Sequence, residues 1–237
     1  MGQKKISESL YQLTFKKYIF QVNCFLLEED NELTLIDAAN PECAEIILET
    51  ANQIGKPITK MIFTHGHGDH IGALDDLKAA LPDGQVMIPE REMKILNGNT
   101  QLEPGEPQSP IRRISYPKSL KTKPDKLLRD GDRVGSLLAV TSPGHSPGSM
   151  SFFHNRDGAL IVGDAFQTLG GVAVSGKLKP RFPFPALATW NKKASLSSAR
   201  KLRELLPSLL AVGHGDSLNQ PVQEIDHAIG EAQKWES

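Results

Sequence analysis

Residues 64–70, Thr-His-Gly-His-Gly-Asp-His, hold three imidazoles and a carboxylate within seven positions. Imidazole nitrogen and carboxylate oxygen are the donor set that suits zinc and neighbouring divalent metals. Gly66 and Gly68 allow positive φ angles and tight bends, so the flanking side chains are expected to converge on one point. A solvated turn has no need of that combination, and the stretch reads as a metal site. Three more residues recur in a similar setting. They are His145 in Pro-Gly-His-Ser-Pro-Gly, Asp164 in Val-Gly-Asp-Ala and His214 in Val-Gly-His-Gly-Asp. Either histidine alone would read as a satisfied structural residue. Beside residues 65–70 they read as ligands, because a metal draws its donors from separate loops. The other two histidines, His154 in a hairpin and His227 on a helix, read as surface residues.

Elements must bring these residues together. Residues 19–27 and 33–38 read as strands around a turn at 28–31, the second ending in Asp37. A helix follows, with Asn40 as its cap, Pro41 in its first turn, and Cys43, Ile46, Ile47 and Ile54 on one face. Gly55 and Pro57 end it. Residues 58–63 form a strand that runs directly into the His-rich motif, and a helix is expected over about 70–81. A short strand and helix at 86–96 lead into a proline-rich stretch, 98–110, of the kind that serves as a lid or binding loop. Further on, 137–141 is a strand, and 149–154 and 159–163 pair as a hairpin across 155–158. An irregular stretch at 166–188 precedes a helix at 189–206, a strand at 208–212 and a last helix at 220–235 that buries Val222, Ile225, Ile229 and Trp235. Strands alternating with helices imply α/β layering with helices outside. Each His or Asp cluster falls just past a strand end, where ligands gather in such folds.

Composition bounds the rest. The 237 residues are 39% hydrophobic and 23% charged, with no repeat or linker, which fits one domain over 1–237. A net charge of −1 provides no field for a polyanion, so a nucleic-acid partner is not expected; the basic run at 112–126 reads as a solvated loop face. Cys24 and Cys43 are too few for a disulfide framework and read as small buried hydrophobes. No signal peptide follows the basic N-terminus, Ile6 breaks the myristoylation pattern, and no segment approaches a membrane span. A cytoplasmic, reducing location is expected.

The ordered set from Asp37 to His214, with its His-x-His-x-Asp-His motif, resembles the metallo-β-lactamase superfamily over nearly the whole chain. The resemblance implies a four-layer αββα sandwich with a metal pair at one edge. It assigns His65, His67 and His145 to the first metal and Asp69, His70 and His214 to the second, with Asp164 bridging beside a water or hydroxide. Two zinc ions per chain are expected, although the donors also suit iron or manganese. Asp37 matches the family's strand-end acid and is expected to support a ligand from behind, the alternative being a turn-forming Asp. Asp69 and Asp164 carry the catalytic assignment. A metal-held water falls from a pKa of about 15.7 toward neutrality, and a pair about 3.5–4 Å apart also orients substrate.

Departures from the family's patterns narrow the field. Asp164 stands where antibiotic-cleaving relatives commonly carry cysteine, which argues against β-lactams. The chain ends soon after His214, without the helical domain by which glyoxalase-II-type enzymes hold glutathione. Lactonase-like relatives keep the seven ligands at similar length and use a tyrosine, for which Tyr11, Tyr18 and Tyr116 are the candidates. Phe166, Phe182 and Phe184, with Trp190, are candidates to wall a substrate pocket, against ordinary packing of the loop. The expected function is hydrolysis of a small ester, lactone or thioester, with a small molecule as the partner and no membrane. The alternatives are a mononuclear iron oxygenase of the persulfide-dioxygenase type, a phosphodiesterase or nuclease, and a non-catalytic metal-binding module.

Overall fold

The computed structural model describes residues 2–17, 20–113 and 115–236. Strands β1 (Gly2–Lys5), β2 (Leu10–Lys17), β3 (Phe20–Glu28) and β4 (Leu33–Ile36) pair antiparallel in succession. A 3₁₀ turn at Pro41–Cys43 leads into α1 (Ala44–Ile54), and β5 (Ile58–Ile62) returns parallel to β4. Helices α2 (Gly68–Ile71) and α3 (Leu74–Ala80) cross to β6 (Gln85–Pro89), and α4 (Glu90–Leu96) leads to β7 (Lys126–Leu128), both strands again parallel to their neighbours. The seven strands lie side by side in chain order.

The second sheet begins with β8 (Arg133–Val134), β9 (Leu137–Thr141), β10 (Met150–His154) and β11 (Ala159–Ile161). A two-stranded ribbon, β12 (Phe166–Gln167) with β13 (Ala173–Val174), and helices α5 (Phe184–Ala188) and α6 (Lys192–Arg203) come next. The chain closes with β14 (Leu209–Ala211), β15 (Leu218–Asn219) and α7 (Val222–Ala232). The order of this six-stranded sheet is β15-β14-β11-β10-β9-β8, with β11 and β14 parallel.

Side-chain alternation along the strands builds the layers. On β3, Cys24 and Leu26 pack toward α1 and α3, while Phe25 and Leu27 face the other sheet. On β9, Leu137 and Ala139 meet them from the opposite side, and Val140 turns outward to the layer of α6 and α7. Three apolar clusters result: helices on the first sheet, sheet on sheet, and the second sheet on helices. Burying each large side chain in them contributes about 1.5–3 kcal/mol. The architecture is the αββα sandwich that the resemblance implies.

Several local expectations are corrected. Asn40 makes no side-chain cap; the first turn is 3₁₀, closed by Cys43 N–H donating to the Asn40 carbonyl at 2.9 Å. The helix expected over 70–81 is two helices. The break comes where Gly72 N–H donates to the Ala39 carbonyl at 2.9 Å instead of continuing the helical ladder. The helix expected over 189–206 is shorter, with Asn191 accepting from Ala194 N–H as its cap. In the last helix Ile225 and Ile229 are buried, whereas Val222 and Trp235 are only partly so. His154 is buried rather than exposed, because its Nδ1 is paired with Asp157 Oδ1 at 2.6 Å; His227 is exposed as expected. Cys24 and Cys43 are buried. Strands β1 and β2 had no counterpart in the sequence reading. Ile19, where the first expected strand began, lies outside the described residues.

Candidate metal centre

The site sits where loops from both sheets meet. Phe63 is buried beyond the end of β5, and Thr64 is held on two sides: its N–H donates to Asp37 Oδ1 at 2.7 Å, and its carbonyl accepts from Met150 N–H of β10 at 2.8 Å. His65 follows, then His67 in extended conformation at the start of α2, and Asp69 and His70 on α2. His145 comes from the β9–β10 loop, Asp164 from the end of β11 and His214 from the end of β14. The motif's glycines serve differently than expected. Neither Gly66 nor Gly68 has a positive φ. Gly66 is needed for close approach, because a Cβ there would lie 2.8 Å from the Tyr116 ring and 3.0 Å from Glu92 Oε2.

Three triads place one donor atom each within 4.8 Å of the others: His65, His67 and His145; His65, His70 and Asp164; and Asp69, His70 and His214. All seven residues expected as ligands are therefore gathered in one place. Hydrogen bonds fix which ring nitrogen faces inward. Thr64 Oγ1 donates to Asp37 Oδ2 at 2.7 Å, so it accepts from His65 Nδ1 at 3.0 Å and leaves His65 Nε2 bare. Thr189 Oγ1 donates to the Pro185 carbonyl, so Ser175 Oγ donates to Thr189 and accepts from His145 Nδ1 at 3.0 Å. His70 Nδ1 donates to Asp37 Oδ2 at 2.9 Å, and His214 Nδ1 donates to the Gln21 carbonyl at 2.5 Å. Four rings thus present Nε2 to the centre. Asp37 stands behind two of them, directly behind His70 and through Thr64 behind His65.

The chemistry of the donors fits a metal. His65 Nε2 is buried and without any hydrogen-bond partner, while the buried His70 Nε2 and Asp164 Oδ1 face each other as an ion pair at 3.4 Å. An unpaired buried acceptor such as His65 Nε2 costs about 1–3 kcal/mol unless a cation satisfies it. Burial lowers His67 to about 4 and His145 to about 3, and pushes His65 well below its usual value, so these three rings are neutral and able to ligate. His70 and His214 behave otherwise. Burial opposes their charge, but Asp164 and Asp69 outweigh it, raising His214 to about 10 and His70 well above its usual range. A cation placed among those carboxylates would displace these protons.

The centre floors an open cavity of about 770 Å³. His67, Asp69, His145, Asp164 and His214 reach its surface. One wall is apolar, formed by Phe20, Phe184, Leu187 and Trp190. Of the aromatic candidates, Phe184 lines the cavity but Phe182 and Phe166 do not. Phe182 is buried behind the wall, 5.3 Å from the Phe20 ring and 5.1 Å from His214, and Phe166 lies in the core beneath α6 and α7. Tyr116 is the tyrosine at the site, its ring 4.9 Å from that of His67. Tyr11 instead packs on the first sheet and donates to Glu28, and Tyr18 lies outside the described residues. Trp190 Nε1 and Asn191 Nδ2 donate to the Ser109 carbonyl and Oγ, each at 2.8 Å, which pins the proline-rich loop over the cavity.

Besides Ser175 behind His145, two buried polar residues that brace the site are not among those expected from the sequence. Asn23 Nδ2 donates to the carbonyls of Val212 and Gly215 at 2.8 and 2.7 Å, tying β3 to the loop that carries His214. Glu92, wholly buried in α4, accepts from both His-bearing loops. The available signal was a polar side chain inside an otherwise apolar strand for Asn23, and none for Glu92.

Comparison with known proteins agrees with this geometry. A sequence-family model described as the metallo-beta-lactamase superfamily matches residues 18–214. The chain is 51% identical to YobT of Bacillus subtilis (strain 168), across 96% of this chain and 97% of that one. It is 30% identical to YflN of the same organism, named a probable metallo-hydrolase, across 80% and 78%. The crystal structure of the DIM-1 metallo-β-lactamase superposes with a TM-score of 0.74 across 98% of this chain and 97% of that one, at 12% identity.

Proposed function

Since the chain belongs to the metallo-β-lactamase superfamily, a superfamily of metallo-hydrolases, we propose that it hydrolyses a small ester, lactone or thioester with an apolar acyl part, using two zinc ions. His65, His67 and His145 would hold one ion and Asp69, His70 and His214 the other, with Asp164 a further donor beside both groups. Bound there, the ions supply a water nucleophile at neutral pH and polarise the scissile carbonyl. The observation that carries this reading is the convergence of seven His and Asp donors, among them the unpartnered buried His65 Nε2, beneath a cavity with an aromatic wall.

The chain's own residues do the rest. Phe20, Phe184, Leu187 and Trp190 receive the acyl group and shield the centre from bulk water. Asp69 is the partly exposed carboxylate at the cavity floor. In the metal-free centre burial raises its pKa, but His70 and His214 outweigh that and keep it ionised; its place at the cavity floor is what suits it to pass a proton to the leaving group. A panel of nitrophenyl esters, lactones, acyl thioesters and a phosphodiester tests the substrate class on zinc-loaded protein. Turnover of the carbonyl substrates is expected to rise with acyl length; turnover of the phosphodiester alone would contradict the proposal. His67→Ala is expected to lose metal and turnover together. Full metal content and turnover in that variant would overturn the site.

A further inference from the structure

Glu92 has no place in the ligand set, yet it is wholly buried about one side chain away from it. Its Oε2 accepts from Gly66 N–H at 2.8 Å and from Tyr116 Oη at 2.9 Å. Its Oε1 accepts from Ser146 Oγ at 2.7 Å and from Gly148 N–H at 2.8 Å. Gly66 lies between His65 and His67, and Ser146 follows His145 directly. Each carboxylate oxygen is therefore bonded to a different loop, and the two loops together supply all three imidazoles of one triad. The space is shaped for this group. A Cβ at Gly148 would lie 2.8 Å from Oε1 and 2.5 Å from the Glu92 nitrogen, and one at Gly66 would lie 3.0 Å from Oε2. Through Tyr116, which stands edge-on to the His67 ring, the carboxylate also bears on the orientation of that ligand.

We infer that Glu92 is a positioning residue: its carboxylate braces the 64–68 loop against the 143–148 loop and so sets the geometry of the three-imidazole metal position. Buried, fully bonded partners of this kind orient ligands, and their loss typically costs about 10–100-fold in metal affinity. The other triad, Asp69, His70 and His214, is oriented by Asp37 and the Gln21 carbonyl, with no bond to Glu92. The brace is therefore specific to one metal position. The inference rests on reading the centre as a metal site.

Glu92→Gln is the informative change. A carboxamide has one acceptor oxygen, so in either orientation its NH₂ faces the N–H of Gly66 or of Gly148, and one backbone bond is lost. The experiment titrates zinc and cobalt into the full-length metal-free protein against a chromophoric chelator. It does so in a His214→Ala background, which leaves the three-imidazole position, and in a His145→Ala background, which leaves the other. Glu92→Gln is expected to weaken binding about 10–100-fold in the first background and less than about two-fold in the second, and to alter the cobalt d–d spectrum only in the first. Unchanged affinity in the first background, or equal loss in both, would overturn the inference. Should Glu92→Gln fail to fold by circular dichroism, Ser146→Ala removes one donor and leaves the carboxylate in place. It is expected to show a smaller loss confined to the same position, and no loss there would overturn the inference. If the unsubstituted protein binds no zinc, the metal-centre reading itself fails; if it binds zinc and Glu92→Gln changes nothing, only the brace fails.

Discussion

Asp37 has a φ of +58°, a left-handed conformation that costs a non-glycine residue free energy and persists only where the surroundings hold it. What holds it is a set of three hydrogen bonds, from Thr64 N–H, Thr64 Oγ1 and His70 Nδ1. The strained residue thereby fixes one ring directly and a second through Thr64. Asp37→Ala is expected to keep the fold and weaken zinc binding about 10–100-fold, measured by competition with a chelator. Affinity equal to that of the unsubstituted protein would leave Asp37 a turn residue only. At this scale the residues were legible in proportion to how rare their chemistry is. Clustered His and Asp past strand ends stand out in a sequence. Glu92 and Asn23 do not, because each works through partners far along the chain, from Gly66 to Gly148 for one and at Val212 and Gly215 for the other. The same remoteness hides why Gly66 is glycine: Tyr116 and Glu92 take the room a side chain would need.

The β10–β11 hairpin shows how elements are fastened away from the site. Asp157 in its turn accepts from His154 Nδ1 at 2.6 Å, Ser7 Oγ at 2.5 Å and Ser9 Oγ at 3.0 Å, joining the hairpin of the second sheet to the β1–β2 turn of the first. Burial opposes ionisation of this carboxyl, but the bonds from His154 and Ser7 prevail and hold it well below its usual value of 3.8. A carboxyl depressed in the folded state contributes stability that is complete above its unfolded pKa and is lost as pH falls below it. Relative to Asp157→Asn, the unsubstituted protein is expected to be about 1–3 kcal/mol more stable at pH 7. Urea unfolding at pH 7, 5, 4 and 3 should show that advantage constant down to about pH 5 and shrinking below about 4. An advantage that grew on acidification would contradict the assignment. Elements with clear punctuation were readable: Gly55, left-handed at φ +83°, ends α1 where expected, and the 137–161 strands fall in place. The break between α2 and α3 was not, since it is made by one hydrogen bond from Gly72 to Ala39. Strand β2 pairs with β3 and β1 with β2, and their mixed polar and apolar residues carry no strong local signal.

On the scale of the whole molecule, the sandwich brings together loops that the chain separates by up to about 150 residues, from His65 to His214. Neither sheet builds the centre alone. The first contributes Asp37 and residues 65–70, the second His145, Asp164 and His214, and Asn23 and Glu92 stitch across the two sets. The family resemblance carried by the ordered motifs implied this sandwich; the alternation of strands and helices implied only α/β layering, with ligands gathered past strand ends. The cavity was less legible: its wall takes Phe20 from one sheet and Phe184, Leu187 and Trp190 from a distant segment, and only the fold unites them. A metal pair for hydrolysis is proposed at this edge. Elemental analysis of protein purified without chelator, combined with the ester, lactone and thioester assay, tests it most directly. About two zinc ions per chain are expected, with turnover lost on chelation and restored by zinc. One iron per chain, with sulfur-dependent oxygen uptake and no carbonyl hydrolysis, would contradict the proposal.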